Sequence, residues 1–260
     1  MLKVYEHPLS PYAQKVKIAL YEKEIPFETV MPNFFQPGGD AEFQKSNPRL
    51  EVPSLIDGEV KVFDSTIILE YIEDKWPKPA LLPSHPAERA RVRMLEDVCD
   101  TYVEAITWAL AEIRVFGRAK GELADQLCAR AAQQIAGCQN WLERQLGDRP
   151  FFNGAAFGWG DLSVWPYLAG QASNGCPPKA GSNLAAWLAK TSLRPSTQKC
   201  GQAAAESMAG FQGLGDILDS GVFKREYRDH RLEWMMRSGG AQIVVDGMAK
   251  GNIRFAVELE

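Results

Sequence analysis

The first thirty residues leave the chain few choices of fold. Leu2-Lys3-Val4-Tyr5 alternates in hydrophobicity as a half-buried strand does. Ser10 is a preferred N-cap residue and Pro11 follows it where a missing N–H costs nothing, so a helix starts at Ser10 and runs to about Lys23. Pro26-Phe27-Glu28-Thr29-Val30 then reads as a second strand. Strand, helix and strand so close together form a crossover unit with parallel strands and a right-handed connection. Within the helix Ala13, Val16, Ala19 and Leu20 recur at helical spacing, which lays one face on a sheet and leaves Gln14 and Lys17 facing water.

The next segments extend this unit. Residues 33–48, with Pro37-Gly38-Gly39-Asp40 at their centre, form a loop with one short helix at Ala41 to Lys45. Val52-Pro53-Ser54-Leu55-Ile56 and Val60-Lys61-Val62-Phe63 flank Asp57-Gly58, a favoured hairpin connection. Asp64-Ser65 then precede an apolar helix, Thr66 to Ile72. The order predicts an α/β unit, a small mixed four-stranded sheet with helices packed on it, over residues 1–78. A proline-bearing linker occupies 79–86. Beyond it the chain turns helical: Ala87 to Phe116, Ala124 to Gln145, Asp161 to Gln171, Leu184 to Ser192 and Pro195 to about Met208 make an all-α bundle over 87–210. The first of these helices would span roughly 45 Å at 1.5 Å per residue. Residues 211–260 form an extension, in which Phe223 to Ser238 reads as a charged, solvated helix, while Ile243 to Gly247 and Ile253 to Val257 read as strands.

Composition excludes several partners. A net charge of −4 gives no electrostatic reason for nucleic acid. The N-terminus has no basic region followed by an apolar run, and no stretch approaches eighteen uninterrupted apolar residues, so no membrane is expected and the setting is read as cytoplasmic. The five cysteines show no Cys-x-x-Cys spacing, and the three histidines form no helical pair, so reduced thiols and no metal are expected. Glycine-rich phosphate loops are absent from the sequence.

Three motifs in order then carry a resemblance. Leu2-Lys3-Val4-Tyr5 followed by Ser10-Pro11-Tyr12-Ala13, the stretch Asn47-Pro48-Arg49-Leu50-Glu51-Val52-Pro53-Ser54-Leu55, and Asp64-Ser65 opening a helix together resemble the glutathione S-transferase superfamily over about residues 1 to 210. The first motif resembles the strand-to-helix turn of the serine- and cysteine-type classes, and with Ser10 in place the chain is read as serine-type, related to the theta- or omega-like bacterial groups. The resemblance implies a thioredoxin-like first domain, a helical second domain and glutathione as co-substrate. It implies that Val52 pairs its backbone with the cysteinyl unit and that Pro53 follows a cis bond. It further implies that Asp64 accepts from the γ-glutamyl ammonium and that Ser65, as an N-cap, binds the γ-glutamyl carboxylate. Ser10 would hold the glutathione sulfur as thiolate, drawing its pKa below about 8.5 with help from the helix dipole. Serine cannot form a mixed disulfide, which favours conjugation over reductase chemistry.

Alternatives stand beside these assignments. Tyr5 occupies the position where tyrosine-type members place their catalytic hydroxyl, and His7 is close enough in sequence to be considered as a base. Leu50-Glu51 replaces the more usual Gly-Lys, so the glycyl carboxylate needs another partner, for which Asn33, Gln36 and Arg49 are candidates. In Phe157-Gly158-Trp159-Gly160-Asp161-Leu162 a glycine stands where the family's capping box usually has Ser or Thr. A small hydrophobic electrophile would lie between the domains, against Tyr12, Tyr102, Trp108 and Phe116. The function implied is a glutathione transferase, expected to be a homodimer that acts in detoxification. Glutathione-dependent cleavage of an aryl ether or halide at the same site is an alternative, as is a non-catalytic binding protein.

Overall fold

The computed structural model describes residues 1–33, 41–210, 225–226 and 229–254. The crossover unit forms as its sequence requires. β1 (Leu2–Tyr5), α1 (Pro11–Glu22) and β2 (Phe27–Val30) come first, followed by α2 (Ala41–Ser46), β3 (Ser54–Asp57), β4 (Val60–Phe63) and α3 (Ser65–Lys75). The sheet order is β2-β1-β3-β4. β1 runs parallel to β2, with Leu2 opposite Phe27, and antiparallel to β3, with Tyr5 opposite Ser54. Leu2, Val4 and Leu55 of the sheet are buried with Val16 and Leu20 of α1 and Ile68 of α3. In the hairpin Asp57 pairs with Val60, so the two connecting residues are Gly58 and Glu59, one step later than the sequence suggested. Gly58 takes a φ of +62°, which a glycine tolerates without a Cβ clash.

The helical part contains α4 (Pro86–Val98), α5 (Glu104–Arg114), α6 (Gly121–Leu146), α7 (Trp159–Ser173), α8 (Asn183–Thr191) and α9 (Pro195–Ala209). The single long helix expected from Ala87 is not one uninterrupted α-helix. Residues Cys99–Val103 form a π-helical turn between α4 and α5, and the helix ends at Arg114. An extra residue in one turn rotates everything after it about the helix axis. Among the described residues no helix is long and apolar enough to cross a membrane.

α1 is where the expectation of a solvated face fails. It packs on α3 on one side and on α7 and α9 on the other, so Gln14, Lys15 and Lys17 are all buried. Each is compensated. Gln14 Nε2 donates to Pro8 O at 2.7 Å, Lys17 pairs with Glu6 at 3.0 Å, and Lys15 is bound by Glu96 and Asp100 of the next layer. Arg194, just before α9, grips Glu22 at the end of α1 with two hydrogen bonds of 2.9 and 2.6 Å.

The extension also departs from its sequence reading. Ile243 to Gly247 lies inside a helix, because Ile243, Val244 and Gly247 share a buried face at helical spacing. Two helices are described there, α10 (Asp229–Arg237) and α11 (Ala241–Ala249), with a short parallel pair, β5 (Arg225–Glu226) and β6 (Ile253–Arg254). α10 lies on α5 with Trp234 and Met235 buried. Arg118 fastens the end of α11 by donating to Asn252 Oδ1 and to Asn252 O, both at 3.1 Å. Phe255 to Val257, the side chains of Arg225 and Arg228, and Gln36 with the loop centre at 37–40 lie outside the described residues.

Candidate functional site

Two helix starts meet a bent helix at one cavity of about 300 Å³. On its sheet side lie Asn47, Glu51, Val52, Pro53, Asp64 and Ser65. Opposite them stand Arg93, Glu96 and Asp97 of α4 with Asp100 and Thr101 of the π turn. Tyr12 of α1, Thr66 of α3 and His230 of α10 complete the wall.

The sheet side is shaped by unusual backbone. Val52-Pro53 is a cis peptide. Asp64 adopts φ +73° and caps α3, its Oδ1 accepting from Thr66 N at 3.0 Å and Ile67 N at 3.3 Å. The cap is therefore Asp64, and Ser65, expected to be the N-cap, is the first residue of the helix. The reason is physical: a carboxylate is as good a cap as a hydroxyl and complements the helix dipole better. Ser65, buried at the positive end of α3, still lines the cavity. Leu50 holds φ +56°, a conformation that glycine adopts without strain, so the leucine found in place of the usual glycine is accommodated at a cost of about 1 kcal/mol. Neighbouring Glu51 is paired with Arg49 at 3.0 Å.

Behind the cavity lies a buried polar cluster that sequence reasoning missed entirely. Lys15 Nζ is 2.5 Å from Glu96 Oε1 and also bonded to Asp100 Oδ2. Thr66 Oγ1 donates to Glu96 Oε1 at 2.8 Å and Trp159 Nε1 to Glu96 Oε2 at 2.5 Å. Tyr167 donates to Asp100 Oδ1 at 2.8 Å and Tyr12 to Asp100 O at 2.7 Å. Burial would pull the Lys15 ammonium down, but the two carboxylates outweigh it and hold it above its ordinary value. Burial pushes the Asp100 carboxyl up to about 6, against the pull of Lys15. The cluster thus ties α1 and α3 to α4 and the π turn across the cavity floor. The missed signal was Lys15 itself, a lysine whose neighbours one helical turn away on either side, Pro11, Tyr12, Ile18 and Ala19, all lack charge and are largely apolar.

The remaining predicted residues are placed as follows. Ser10 caps α1, its Oγ accepting from Ala13 N at 3.2 Å. It is not among the residues that line the cavity, although Tyr12 two positions on is. Tyr5 is buried, and its hydroxyl donates to Glu42 Oε2 at 2.8 Å. His7 accepts from Leu9 N at 3.2 Å. Neither Asn33 nor Arg49 lines the cavity. Of the expected aromatic pocket, only Tyr12 takes part. Tyr102 lies in the π turn and is 53% exposed; Trp108 is covered by the Arg231 guanidinium, 5.0 Å from its ring centre; Phe116 falls beyond the end of α5. Spacing along an unbroken α-helix joined these three, and the π turn with the early helix end separates them. Most of the residues that line the cavity are polar or charged, with Tyr12, Val52 and Pro53 the exceptions.

Arg231 and His230 correct a further expectation. The tail helix is not a solvated face, since Glu104, itself buried, receives Arg231 Nη2 at 2.6 Å and pairs with His230 Nε2 at 3.0 Å. The Gly158 substitution also finds its cause. A Cβ there would stand 2.1 Å from Asn153 Nδ2 and 2.4 Å from Leu81 O, so no serine or threonine fits. Asn153 fills the gap by accepting from Gly160 N at 3.1 Å. Cysteine chemistry has little footing: all five thiols are free, and burial pushes Cys138 up to about 11 and Cys200 to about 12. Among the described residues no group of His, Cys, Asp and Glu could hold a metal ion.

The comparisons with known proteins agree with this geometry. The model of the glutathione S-transferase N-terminal domain matches residues 4–80, and that of the C-terminal domain matches residues 125–190. Glutathione S-transferase U28 of Arabidopsis thaliana is 31% identical over 162 residues, which cover 62% of this chain and 68% of the relative. Glutathione S-transferase U17 of the same plant is 34% identical over 168 residues, 62% of this chain and 69% of the relative. Rice GST1, solved in complex with glutathione, superposes with a TM-score of 0.65 at 26% identity, covering 82% of this chain and 97% of its own. With a thioredoxin-like sheet carrying the cis-proline turn, a helical second part packed against it, and relatives matched over two thirds of their length, the chain belongs to the glutathione S-transferase family.

Proposed function

We propose that the chain is a glutathione transferase that binds glutathione in the cavity and activates its sulfur for attack on an electrophilic carbon. The observation that carries this reading is the convergence of Val52, Pro53, Asp64 and Ser65 on one cavity at the positive end of α3. In this reading Ser65 receives the γ-glutamyl carboxylate at that helix end. Asp64 receives the ammonium with Oδ2, since Oδ1 is spent on the cap. Val52 offers backbone pairing to the cysteinyl unit. Ser10 stabilises the thiolate. A serine that accepts one N–H still has its own O–H to donate, so capping α1 and holding a thiolate are compatible. The energy comes from a donor and a helix end fixed before the sulfur arrives. Serine rather than cysteine at this position sets the chain among the serine-type members, and the reading includes a homodimer in the cytoplasm and a two-domain division near residues 79–86.

Calorimetric titration with glutathione, with ultraviolet absorbance of the bound thiolate followed across pH, tests the reading. Binding with a thiol pKa below that of free glutathione, and loss of that shift in Ser10→Ala, is the expected result. Absence of binding would overturn it, and an unchanged shift in Ser10→Ala would reduce Ser10 to a cap.

A further inference from the structure

Among the described residues of the extension, His230 reaches the cavity. It stands on the second residue of α10, lines the cavity together with Asp97, Asp100 and Thr101, and is bound through Nε2 to Glu104 at 3.0 Å. Glu104 is buried and also holds Arg231, whose guanidinium covers Trp108. Trp234 Nε1, one turn on, is bonded to Gln134 of α6. The start of α10 is therefore pinned to α5 and α6 at points that fix the imidazole.

The chemistry of that imidazole is set by its partner. A carboxylate on Nε2 selects the tautomer with the proton on Nε2, which leaves Nδ1 as an acceptor. Nδ1 makes no hydrogen bond among the described residues. The nearby wall adds the Asp97 and Asp100 carboxylates, which accept hydrogen bonds and repel anions. Resting on the transferase reading above, we propose that His230, held by Glu104, is a specificity-determining residue through which the C-terminal extension selects electrophiles that carry a hydroxyl or amine N–H. The donor of the electrophile bonds to Nδ1, and the neighbouring carboxylates disfavour anionic electrophiles of the same shape.

Thioether conjugates of glutathione test this without knowledge of the natural electrophile. S-benzylglutathione is compared with its 2-, 3- and 4-hydroxybenzyl analogues by calorimetry on the full chain, with glutathione as reference. The proposal expects at least one hydroxylated conjugate to bind the wild type about 2- to 10-fold more tightly than S-benzylglutathione, the range of one hydrogen bond. His230→Phe should abolish that preference, read as the ratio of the hydroxylated to the plain conjugate's affinity, and His230→Gln, which keeps an acceptor, should restore part of it. No preference in the wild type, or a preference that survives in His230→Phe, overturns the proposal. An equal loss for glutathione and all conjugates also overturns it, because His230 would then be supporting the scaffold only. Failure of the wild type to bind glutathione is a separate result, which removes the transferase reading itself.

Discussion

Asp161 and Asp100 are both carboxylates taken out of water, and burial pushes both up to about 6, yet they do opposite work. Asp161, at the start of α7, is enclosed by fixed donors: Phe152 N at 2.8 Å, Asn153 N at 3.2 Å, Gly158 N at 3.1 Å and Trp187 Nε1 at 2.8 Å. It joins the loop before α7 to α8 and is not among the cavity-lining residues. Asp100, in the π turn, is shared between Lys15 and Tyr167, and it lines the cavity. A raised pKa by itself therefore does not mark a functional group. What separates the two is whether a bound molecule can reach the carboxylate.

The comparison can be broken at either end. The largest effect is expected for Asp161→Ala, which strands four donors, three of them backbone N–H groups, and should cost about 4 kcal/mol in chemical denaturation. Whatever fraction stays folded should bind glutathione with unchanged affinity; a marked loss would make Asp161 part of the site. Lys15→Met comes next, at about 3 kcal/mol at pH 7, since it leaves Glu96 and Asp100 buried without their cation. Asp100, whose carboxyl burial already raises, would lose the cation that opposes that rise and titrate higher still in the folded chain, so the folded state takes up more protons and the penalty shrinks as pH falls. Denaturation at pH 5 and pH 7 checks this, and a penalty that grew on acidification would contradict the assignment.

Gly158→Ala sharpens the structural half of the comparison. Its Cβ would press on Asn153 and on the Leu81 carbonyl, and a loss of about 2 kcal/mol is expected, measured as a lower denaturation midpoint. The smallest change is a slope. With a folded pKa of about 6 against an ordinary 3.8, Asp100 withdraws stability from the wild type as pH rises through that interval. Asp100→Asn should flatten the curve of stability against pH between about 4 and 6, and an unaltered slope would mean that Asp100 titrates normally.

The parts of the molecule that could be read from sequence are those governed by local rules. Ser10 before Pro11, the alternation of β1, and Gly147 after α6 each state a boundary in the residues themselves. Asp64-Ser65 announced a helix start too, and only the division of labour between the two residues needed the structure. Ile243-Val244-Val245 misled because a short apolar run fits strand and buried helix equally well. The aromatic wall failed for a different reason: Tyr102, Trp108 and Phe116 were joined by a helical period that the π turn interrupts.

The sequence by itself determined the crossover unit, the hairpin, the helix starts and the motifs that mark the family, because capping, strand alternation and turn chemistry act over a few residues. Tertiary structure alone decided that α1 is buried on both faces, so that Lys15 must meet Glu96 and Asp100 across 81 and 85 positions of chain. It also decided that Glu104 is bound by His230, 126 positions later, which brings the extension to the cavity. Such pairings arise from which helices pack together, and removing a charge from water forces each buried ion to find a partner wherever in the chain that partner lies.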